Sequence, residues 1–325
     1  MNESFVNNIF DEPVFNEALA IQLFQYQYRY NEVYGKWCNL LQINPSDIVK
    51  IHQIPFLPIS FLKTHTVITG QFTPELIFTS SGTTQTINSH HYVKEAIIYK
   101  KSFLAAFEQF YGDVKDWCII GLLPSYLERN GSSLIYMVNE LINLSQHSQS
   151  GFYLYEFDKL TTTLQQLEAV GQKTLLIGVT FALLDFAATC PMQLNHTIIM
   201  ETGGMKGRKE ELTRLEVHEV LQQAFGVSRI HSEYGMTELL SQAYSQGEGN
   251  YRCPPWMKVL VRNEDDPLEV SLAGKGILNI IDLANRDSCV FIATDDAGIV
   301  YNNGSFEVLG RMDNSDIRGC SLLTI

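Results

Sequence analysis

The sequence predicts an α/β fold with mostly parallel sheets, and three observations indicate it. Between about residues 76 and 231, short apolar runs of strand length alternate with segments of helical periodicity. This alternation is typical of a parallel sheet covered by helices. Polar loops that contain glycine directly follow several of these runs, at the position where such sheets bind ligands. Beyond about residue 245 further apolar runs follow without helix-length patterns, which predicts a small antiparallel β subdomain.

The predicted elements begin with helix over residues 1–50, where QLFQYQYRYNEVYGKWCNLL presents apolar and aromatic side chains on a broad face. Pro55 and Pro58 then favour an extended, irregular segment over residues 51–65, and Leu76–Thr79 is a short strand before a polar loop. The alternating region has predicted strands at 117–123, 152–157, 175–179, 197–200 and 227–231, with helices at 93–110, 132–145 and 208–225 and helices that run up to residues 169 and 189.

The C-terminal part of the chain is predicted to be rich in β-structure. WMKVLVR, GILNIIDL, CVFIATDDAGIVY and FEVLGRM are predicted strands, and turns that contain Asn, Gly and Asp separate them. We therefore predict two parts. The first is an α/β body over residues 1–245, and the second is a β-rich subdomain over residues 246–325 that ends in a hinge-like tail.

Composition and charge exclude several classes of protein. The 325 residues are 45% hydrophobic and carry a formal net charge of −13, so the chain lacks the basic surface that nonspecific nucleic-acid binding requires. The six cysteines include no CxxC pair, which argues against a zinc site and a disulfide framework. The acidic, polar N-terminus is unlike a secretory signal, and no apolar stretch approaches the ~20 residues of a membrane helix. We expect no membrane insertion and a cytoplasmic location.

The first candidate site is SSGTT, which comprises Ser80, Ser81, Gly82, Thr83 and Thr84. Short hydroxyl side chains and consecutive backbone N–H groups can form a concave anion site, and Gly82 permits a tight turn. The GK[ST] ending of a P-loop is absent. Taken alone, the run is better interpreted as a surface turn.

The second candidate site is YGMTE, which comprises Tyr234, Gly235, Met236, Thr237 and Glu238. The Tyr234 ring is suited to stacking on a purine, and the Thr237 hydroxyl is suited to a phosphate. The Glu238 carboxylate is suited to Mg²⁺, a hard cation that prefers carboxylate oxygen beside substrate phosphate. The alternative is a tyrosine corner followed by a helix whose first turn carries a glutamate.

Two further segments carry polar or flexible residues suited to a nucleotide. TDDAG, at residues 294–298, precedes Gly310-Arg311. Its carboxylates suit ribose hydroxyls and the guanidinium suits a phosphate or a hydroxyl pair, although DDAG alone is better interpreted as a β-turn. Gly203 and Gly204 follow a predicted strand. They either permit close approach to adenine or to an acyl carboxylate, or form a simple strand-to-helix turn.

In this order, the motifs resemble those of the adenylate-forming superfamily of acyl- and aryl-CoA ligases, luciferases and peptide-synthetase adenylation domains, over roughly residues 50–320. TSSGTT is similar to the superfamily's phosphate loop, YGMTE to its adenine, phosphate and metal motif, TDDAG to its ribose motif and GRMDNSDIRG to its hinge motif. The resemblance implies ATP and Mg²⁺ as cofactors. It implies ribose contacts from Asp296 and Arg311, a metal ligand in Glu238, and catalytic roles for Thr237 and Glu238.

Within this superfamily the chain resembles the acyl-protein synthetase (LuxE-like) branch of bacterial fatty-acid reductase systems. IPFLPISFLK, LLPSYLERNGSSLIYMV, ETGGMKGR and YGMTEL are all similar to that branch. The resemblance implies that Cys320, near the C-terminus, accepts the acyl group from acyl-adenylate. It also implies a fatty or other carboxylic acid as substrate and an acyl-accepting reductase or carrier protein as partner.

The sequence departs from the superfamily pattern in two places. Gln85 stands where the usual phosphate loop has glycine. The chain ends just beyond the hinge motif, so we expect the small C-terminal domain, with its adenylation-assisting lysine, to be absent. Lys206 is one candidate source of that positive charge.

These observations predict an enzyme. It would be an ATP-dependent acid-activating ligase that forms an acyl-adenylate and transfers the acyl group to a protein cysteine. Two alternatives stay open at this point. One is an acyl- or aryl-CoA ligase that lacks its C-terminal domain, and the other is a non-catalytic subunit that binds nucleotide or acyl groups.

Overall fold

The structure is a computed structural model that describes residues 9–80, 87–123, 131–154, 156–203 and 212–312. The α-helices within these ranges are α1 Glu17–Tyr30, α2 Glu32–Leu40, α3 Phe61–Thr64, α4 Ala96–Tyr111, α5 Ser133–Ser145, α6 Phe157–Ala169, α7 Thr180–Thr189 and α8 Arg214–Phe225. Short 3-10 turns lie at Pro45–Asp47, Ile51–Gln53, Val114–Asp116 and Leu283–Asn285. No helix in the described ranges has both the length and the apolar character needed to cross a membrane.

The strands of the described chain lie in both its N-terminal and C-terminal halves. They are β1 Leu57–Pro58, β2 Leu76–Thr79, β3 His90–Val93, β4 Cys118–Leu122, β5 Gly151–Phe152, β6 Thr174–Val179, β7 Thr197–Thr202, β8 His231–Tyr234, β9 Ala243–Ser245, β10 Tyr251–Arg252, β11 Met257–Arg262, β12 Val270–Ser271, β13 Gly274–Asp282, β14 Phe291–Val300 and β15 Phe306–Arg311.

The chain divides into two compact units. The first unit takes its described residues from Met1–Ala105, Gly235–Ala243 and Arg252–Ile325, and the second takes them from Ala106–Tyr234 and Tyr244–Tyr251. The first unit is therefore assembled from three separate stretches of chain. The boundary predicted at residue 245 stays a prediction.

The second unit contains a parallel sheet with the strand order β8-β7-β6-β4-β5. Every residue of β4 and β6 is buried, as expected for strands covered on both faces. Helices α7 and α8 pack through Phe186 and Phe225, whose rings stack with centroids 5.6 Å apart. Thr213 and Glu216 cap the start of α8 reciprocally. Because the strands are parallel, the carboxyl ends of β4, β7 and β8 lie at one edge of this sheet.

The first unit contains an antiparallel sheet with the order β12-β11-β13-β14-β15, to which β1 adds beside β14 in parallel. Strands β2 and β3 form a separate antiparallel pair. Helices α1 and α2 cover β14 through Phe24 and Tyr34, whose rings both contact the ring of Phe291. The buried Gln27 side chain accepts a hydrogen bond from the backbone N–H of Val290 at 2.9 Å, which ties α1 to the segment before β14.

The two sheets confirm the predicted fold class. The parallel sheet lies in the predicted alternating region, and β11, β13, β14 and β15 overlap the four apolar runs of the predicted β-rich part. TDDAG lies inside β14, so its interpretation as a β-turn is wrong.

Some local predictions are wrong, and each has a physical reason. The strand predicted at 227–231 lies instead at His231–Tyr234, because Gly226 adopts the left-handed conformation that ends α8 and an irregular segment follows. Of the strand predicted at 152–157, only Phe152 lies in a strand, β5, because Phe157 already begins α6. Strand β2 pairs with β3 and does not join the parallel sheet.

Replacing Gly298 with alanine should destabilise the first unit. Gly298 lies at a register shift between β14 and β15, where a Cβ atom would meet the backbone oxygen of Glu307 at 2.4 Å and a side-chain carbon of Leu278 at 2.7 Å. We expect the free energy of unfolding to fall by about 2 kcal/mol, as measured by urea denaturation. Gly151→Ala is the control, because nothing lies within 4 Å of its Cβ position. Equal stability of the two variants would contradict this packing.

Candidate active site

Glu238 lies in a buried polar cluster of the first unit. Its side chain is buried, and the Ser89 hydroxyl donates a hydrogen bond to its Oε1. Burial raises the pKa of Glu238, whereas the Ser89 bond and the charges of Arg311 and Lys63 favour the ionised form. Residues 235–242 form neither helix nor strand, and Thr237 and Glu238 lie in a turn, so the alternative of a helix at this point is wrong.

Ser89 is also hydrogen-bonded to Ser80, and these two residues flank the segment that carries most of SSGTT. The Ser80 N–H donates to the Ser89 carbonyl at 3.1 Å, and the Ser89 N–H donates to Ser80 Oγ at 2.9 Å. Strand β2 ends at Thr79 and its partner β3 begins at His90. The two Ser80–Ser89 hydrogen bonds therefore join the chain just beyond the paired ends of these strands. Ser89 thus contacts both Ser80, the first residue of the SSGTT motif, and Glu238, the last residue of the YGMTE motif.

His91 and Asn285 hold the backbone of Thr237 and Glu238. His91 Nδ1 lies 2.8 Å from the Thr237 carbonyl oxygen, and its Nε2 lies 2.8 Å from Asn285 Oδ1. Asn285 Nδ2 donates to the Glu238 carbonyl at 2.8 Å. Both partners of the ring are acceptors, so a ring with two N–H groups satisfies both and a neutral ring satisfies one. Burial lowers the pKa of His91, and the hydrogen bonds to Thr237 and Asn285 oppose this shift. The sequence showed His90 and His91 without recognisable partners, and it gave no signal for Asn285.

Asp282 holds the residues that follow Glu238. Its Oδ2 accepts from the Leu240 N–H at 2.8 Å, and its Oδ1 accepts from the Ser241 hydroxyl at 2.5 Å. Burial raises the pKa of Asp282 to about 6, and the hydrogen bonds oppose this shift. Asp282 has no signal in the sequence, because an isolated aspartate at the end of an apolar run carries no motif.

Asp296 and Arg311 face each other across the antiparallel pair β14–β15. Directly opposed residues of such a pair project on the same face, so the two predicted ribose contacts share one side of the sheet. Arg311 Nη2 lies 3.8 Å from the neighbouring Asp295 carboxylate, and both of these side chains are exposed. An exposed guanidinium beside two aspartates is available to a ligand with hydroxyl or phosphate groups.

Two buried glutamates lie at the carboxyl ends of β7 and β8 in the second unit. The Thr202 hydroxyl donates to Glu233, and burial raises the pKa of Glu233 to about 7. Glu201 lies 3.8 Å from His218 Nε2 and 4.0 Å from Arg214 Nε. Neither glutamate was predicted as a site residue, because each lies just before a glycine-containing motif, GG or YG, that was interpreted through its glycines.

Gly203 and Tyr234, two predicted nucleotide contacts, belong to the same unit. Gly203 has a positive φ of 71°, and its carbonyl accepts from the Thr180 hydroxyl at 2.8 Å. Tyr234 ends β8 and is buried, with its ring 5.8 Å from that of Tyr251. Gly235 continues the chain into Thr237 and Glu238 in the first unit.

Several predicted site residues lie outside the described ranges. They are Ser81, Gly82, Thr83, Thr84, Gly204, Lys206 and Cys320. Ser132, which is described, caps α5 by accepting from the Ile135 N–H at 3.3 Å.

The fold is that of adenylate-forming ligases. ATP-bound MatB from Rhodopseudomonas palustris superposes with a TM-score of 0.53 and 16% sequence identity, over 74% of this chain and 49% of that one. 2-Hydroxyisobutyryl-CoA ligase, in the postadenylation state with R3-HIB-AMP, superposes with a TM-score of 0.62 and 11% identity, over 91% of this chain and 67% of that one. The chain thus spans about half the length of the MatB structure.

The chain belongs to the acyl-protein synthetase (LuxE) family, whose model matches residues 10–324. Two curated relatives are both named long-chain-fatty-acid–luciferin-component ligase. The one from Aliivibrio fischeri is 23% identical over 96% of this chain and 88% of its own length, and the one from Vibrio harveyi is 22% identical over 92% and 84%. These findings confirm the predicted family and the prediction of an enzyme, an acid-activating ligase of the acyl-protein synthetase type.

Replacing Glu233 with glutamine should stabilise the protein above neutral pH. Burial raises the pKa of Glu233 from 4.5 to about 7. As the pH rises between these two values, the unfolded chain releases a proton from Glu233 that the folded chain keeps. The free energy of unfolding of the parent therefore falls as pH rises, by up to about 3 kcal/mol. Glutamine is uncharged and still accepts from Thr202, so Glu233→Gln should remove this loss.

Urea denaturation at pH 5 and pH 8 measures the effect. The free energy of unfolding of Glu233→Gln relative to the parent should be larger at pH 8 than at pH 5. For the exposed Glu219→Gln, this difference from the parent should not increase. A Glu233→Gln difference that is the same at both pH values would contradict the assignment.

Proposed function

We propose that this protein uses ATP to convert a long-chain fatty acid to acyl-adenylate and then transfers the acyl group to Cys320. The observation that carries the first half is the connection between the two predicted motifs. Ser89 closes the base of the SSGTT segment through Ser80 and donates to Glu238. Membership of the acyl-protein synthetase family and the names of the two relatives support the choice of substrate and acceptor.

Glu238 is the proposed ligand of Mg²⁺. In the described part of the chain, no cluster of three or more His, Cys, Asp or Glu side chains is arranged to hold a metal ion. Mg²⁺, however, is usually held by one or two carboxylates together with substrate phosphates and water. A buried carboxylate whose pKa is raised by burial fits this role, because an adjacent cation relieves the cost of burying its charge. When bound, the ion would neutralise phosphate charge.

The remaining nucleotide contacts follow from the predicted motifs. Residues 80–84 would bind phosphates through N–H groups and hydroxyls, with Thr237 as a further phosphate contact. Tyr234 would stack on adenine, and Gly203 and Gly204 would allow close approach of the backbone to adenine or to the acyl carboxylate. Asp296 and Arg311, which share one face of the β14–β15 pair, would bind the ribose hydroxyls.

The proposed reaction has two steps. A carboxylate oxygen of the fatty acid attacks the α-phosphorus of ATP, which forms the acyl–phosphate bond of acyl-adenylate and releases pyrophosphate. The Cys320 thiolate then attacks the acyl carbonyl, which forms a thioester and releases AMP. The residues act mainly by positioning the reactants and compensating charge. An acyl-accepting reductase or carrier protein would then receive the acyl group. The described cysteines are free, and a cytoplasmic location belongs to this proposal.

Exchange of labelled pyrophosphate into ATP tests the first step. We expect exchange that depends on a long-chain fatty acid. Glu238→Gln should reduce it by at least about 100-fold, because a neutral amide is a poor ligand for Mg²⁺. Glu307→Gln, at a glutamate of the same unit that contacts Tyr301, is the control and should keep full exchange. No exchange with any fatty acid would contradict adenylation, and full exchange by Glu238→Gln would exclude the metal role.

Labelling with radioactive fatty acid tests the second step. In the presence of ATP, the parent should acquire an acyl label that hydroxylamine removes, as a thioester requires. Cys320→Ser should lose this label and retain pyrophosphate exchange. Cys190→Ser, at a half-buried cysteine, is the matched control and should keep the label. A hydroxylamine-labile label on Cys320→Ser would show that another group accepts the acyl chain.

A further inference from the structure

We infer that Asp282, Asn285 and His91 form a clamp that fixes the backbone on both sides of Glu238 and thereby sets the affinity of the protein for Mg²⁺ with nucleotide. This inference rests on the proposed role of Glu238. It adds three positioning residues that no motif includes. All of them lie in the first unit, as does the segment that they hold.

The first half of the clamp holds the residues up to Glu238. The His91 ring bridges the Thr237 carbonyl and the Asn285 side-chain oxygen, each at 2.8 Å. The Asn285 amide nitrogen donates to the Glu238 carbonyl at 2.8 Å. This last bond fixes the orientation of the Asn285 amide, because only its nitrogen can donate to a carbonyl. Two successive peptide groups of the motif are therefore held by one imidazole and one amide.

The second half of the clamp holds the residues after Glu238. Asp282 accepts from the Leu240 N–H and the Ser241 hydroxyl, and its Oδ1 also accepts from the Ala284 N–H at 3.2 Å. Asp282 is the residue that caps the 3-10 turn Leu283–Asn285, and Asn285 is the last residue of that turn. Asp282 and the short turn that follows it therefore contribute one residue to each half of the clamp.

The segment 237–241 needs this support because no strand or helix includes it. Its backbone position depends on hydrogen bonds from side chains, and all three clamp side chains are buried. A metal ligand that is held in place before binding loses less freedom when the metal binds. Outer groups that orient a metal ligand typically contribute 10- to 100-fold to metal affinity or activity.

A purely structural role would produce the same hydrogen bonds, so the test needs a matched control. Asn31 provides one, because it is a buried asparagine of the same unit. Its Nδ2 donates to the Ser288 carbonyl at 2.8 Å, and its Oδ1 accepts from the Tyr34 N–H at 3.0 Å. Among the hydrogen bonds of Asn31, none involves residues 237–241 of the described chain.

The experiment compares Asn285→Leu with Asn31→Leu in the full chain. Leucine is uncharged and similar in size, so each variant loses the buried hydrogen bonds of its amide without gaining a charge. Isothermal titration with Mg²⁺ and α,β-methylene-ATP, which cannot release pyrophosphate, gives the dissociation constant without turnover. Thermal melting without ligand gives the stability of each variant.

Both variants should melt at lower temperature than the parent, but only Asn285→Leu should weaken binding of the Mg²⁺ complex, by about 10-fold. Equal dissociation constants for the two variants would overturn the clamp and leave the proposed function intact. Absence of binding by the parent would overturn the proposed nucleotide site, and the clamp with it.

His91→Gln is the second variant. If Asn285→Leu does not fold, His91→Gln tests whether the clamp sets the affinity for the Mg²⁺ complex. Glutamine carries one amide nitrogen on a single carbon, so it cannot span the Thr237 carbonyl and Asn285 Oδ1 as the two ring nitrogens of His91 do. His91→Gln should also weaken binding of the Mg²⁺ complex by about 10-fold. An unchanged dissociation constant for a folded His91→Gln would overturn the clamp.

Discussion

The burial of the Glu238 carboxylate is the constraint on which the first unit depends. A carboxylate that is largely removed from water needs hydrogen bonds and positive charge to stay ionised, and here these come from distant parts of the sequence. Ser89 supplies a hydroxyl, Lys63 and Arg311 supply charge, and Asn285 holds the peptide group. The three chain stretches of this unit must therefore fold together before the carboxylate is in position. A family that activates acids with ATP needs such a group to be fixed beforehand, because catalysis of this kind depends on position and charge.

The second unit provides a different kind of support. Its central strands β4 and β6 are buried along their whole length, and this rigid sheet fixes the ends of β7 and β8. Glu201 and Glu233 each precede the last residue of one of these strands, and the two buried acids have different surroundings. Glu201 lies near Arg214 and His218, whereas Glu233 accepts from Thr202 and burial raises its pKa to about 7. The unit therefore presents two carboxyl groups with different partners at the sheet edge where such folds bind ligands.

The sequence was informative where structure follows from local pattern. The run WCIIGLL predicted β4, and the runs after residue 245 predicted the antiparallel sheet, because alternation and apolar length are local properties. The site was predictable only where it had a motif. His91 meets Asn285 across 194 positions of sequence, and no local signal marks such a pair. Strand β8 was misplaced because its residues HSEY are mostly polar and yet mostly buried, so they form no apolar run. The antiparallel pairing of β2 was equally hidden, since a four-residue strand does not reveal its partner.

The central claim is that the chain activates an acid with ATP and then carries the acyl group itself. The intact mass of the purified protein, after incubation with ATP, Mg²⁺ and a panel of carboxylic acids, tests this claim most directly. We expect a long-chain fatty acid to add its own mass less one water, only when ATP is present, and peptide mapping to locate the adduct. An unchanged mass with every acid of the panel would contradict the account.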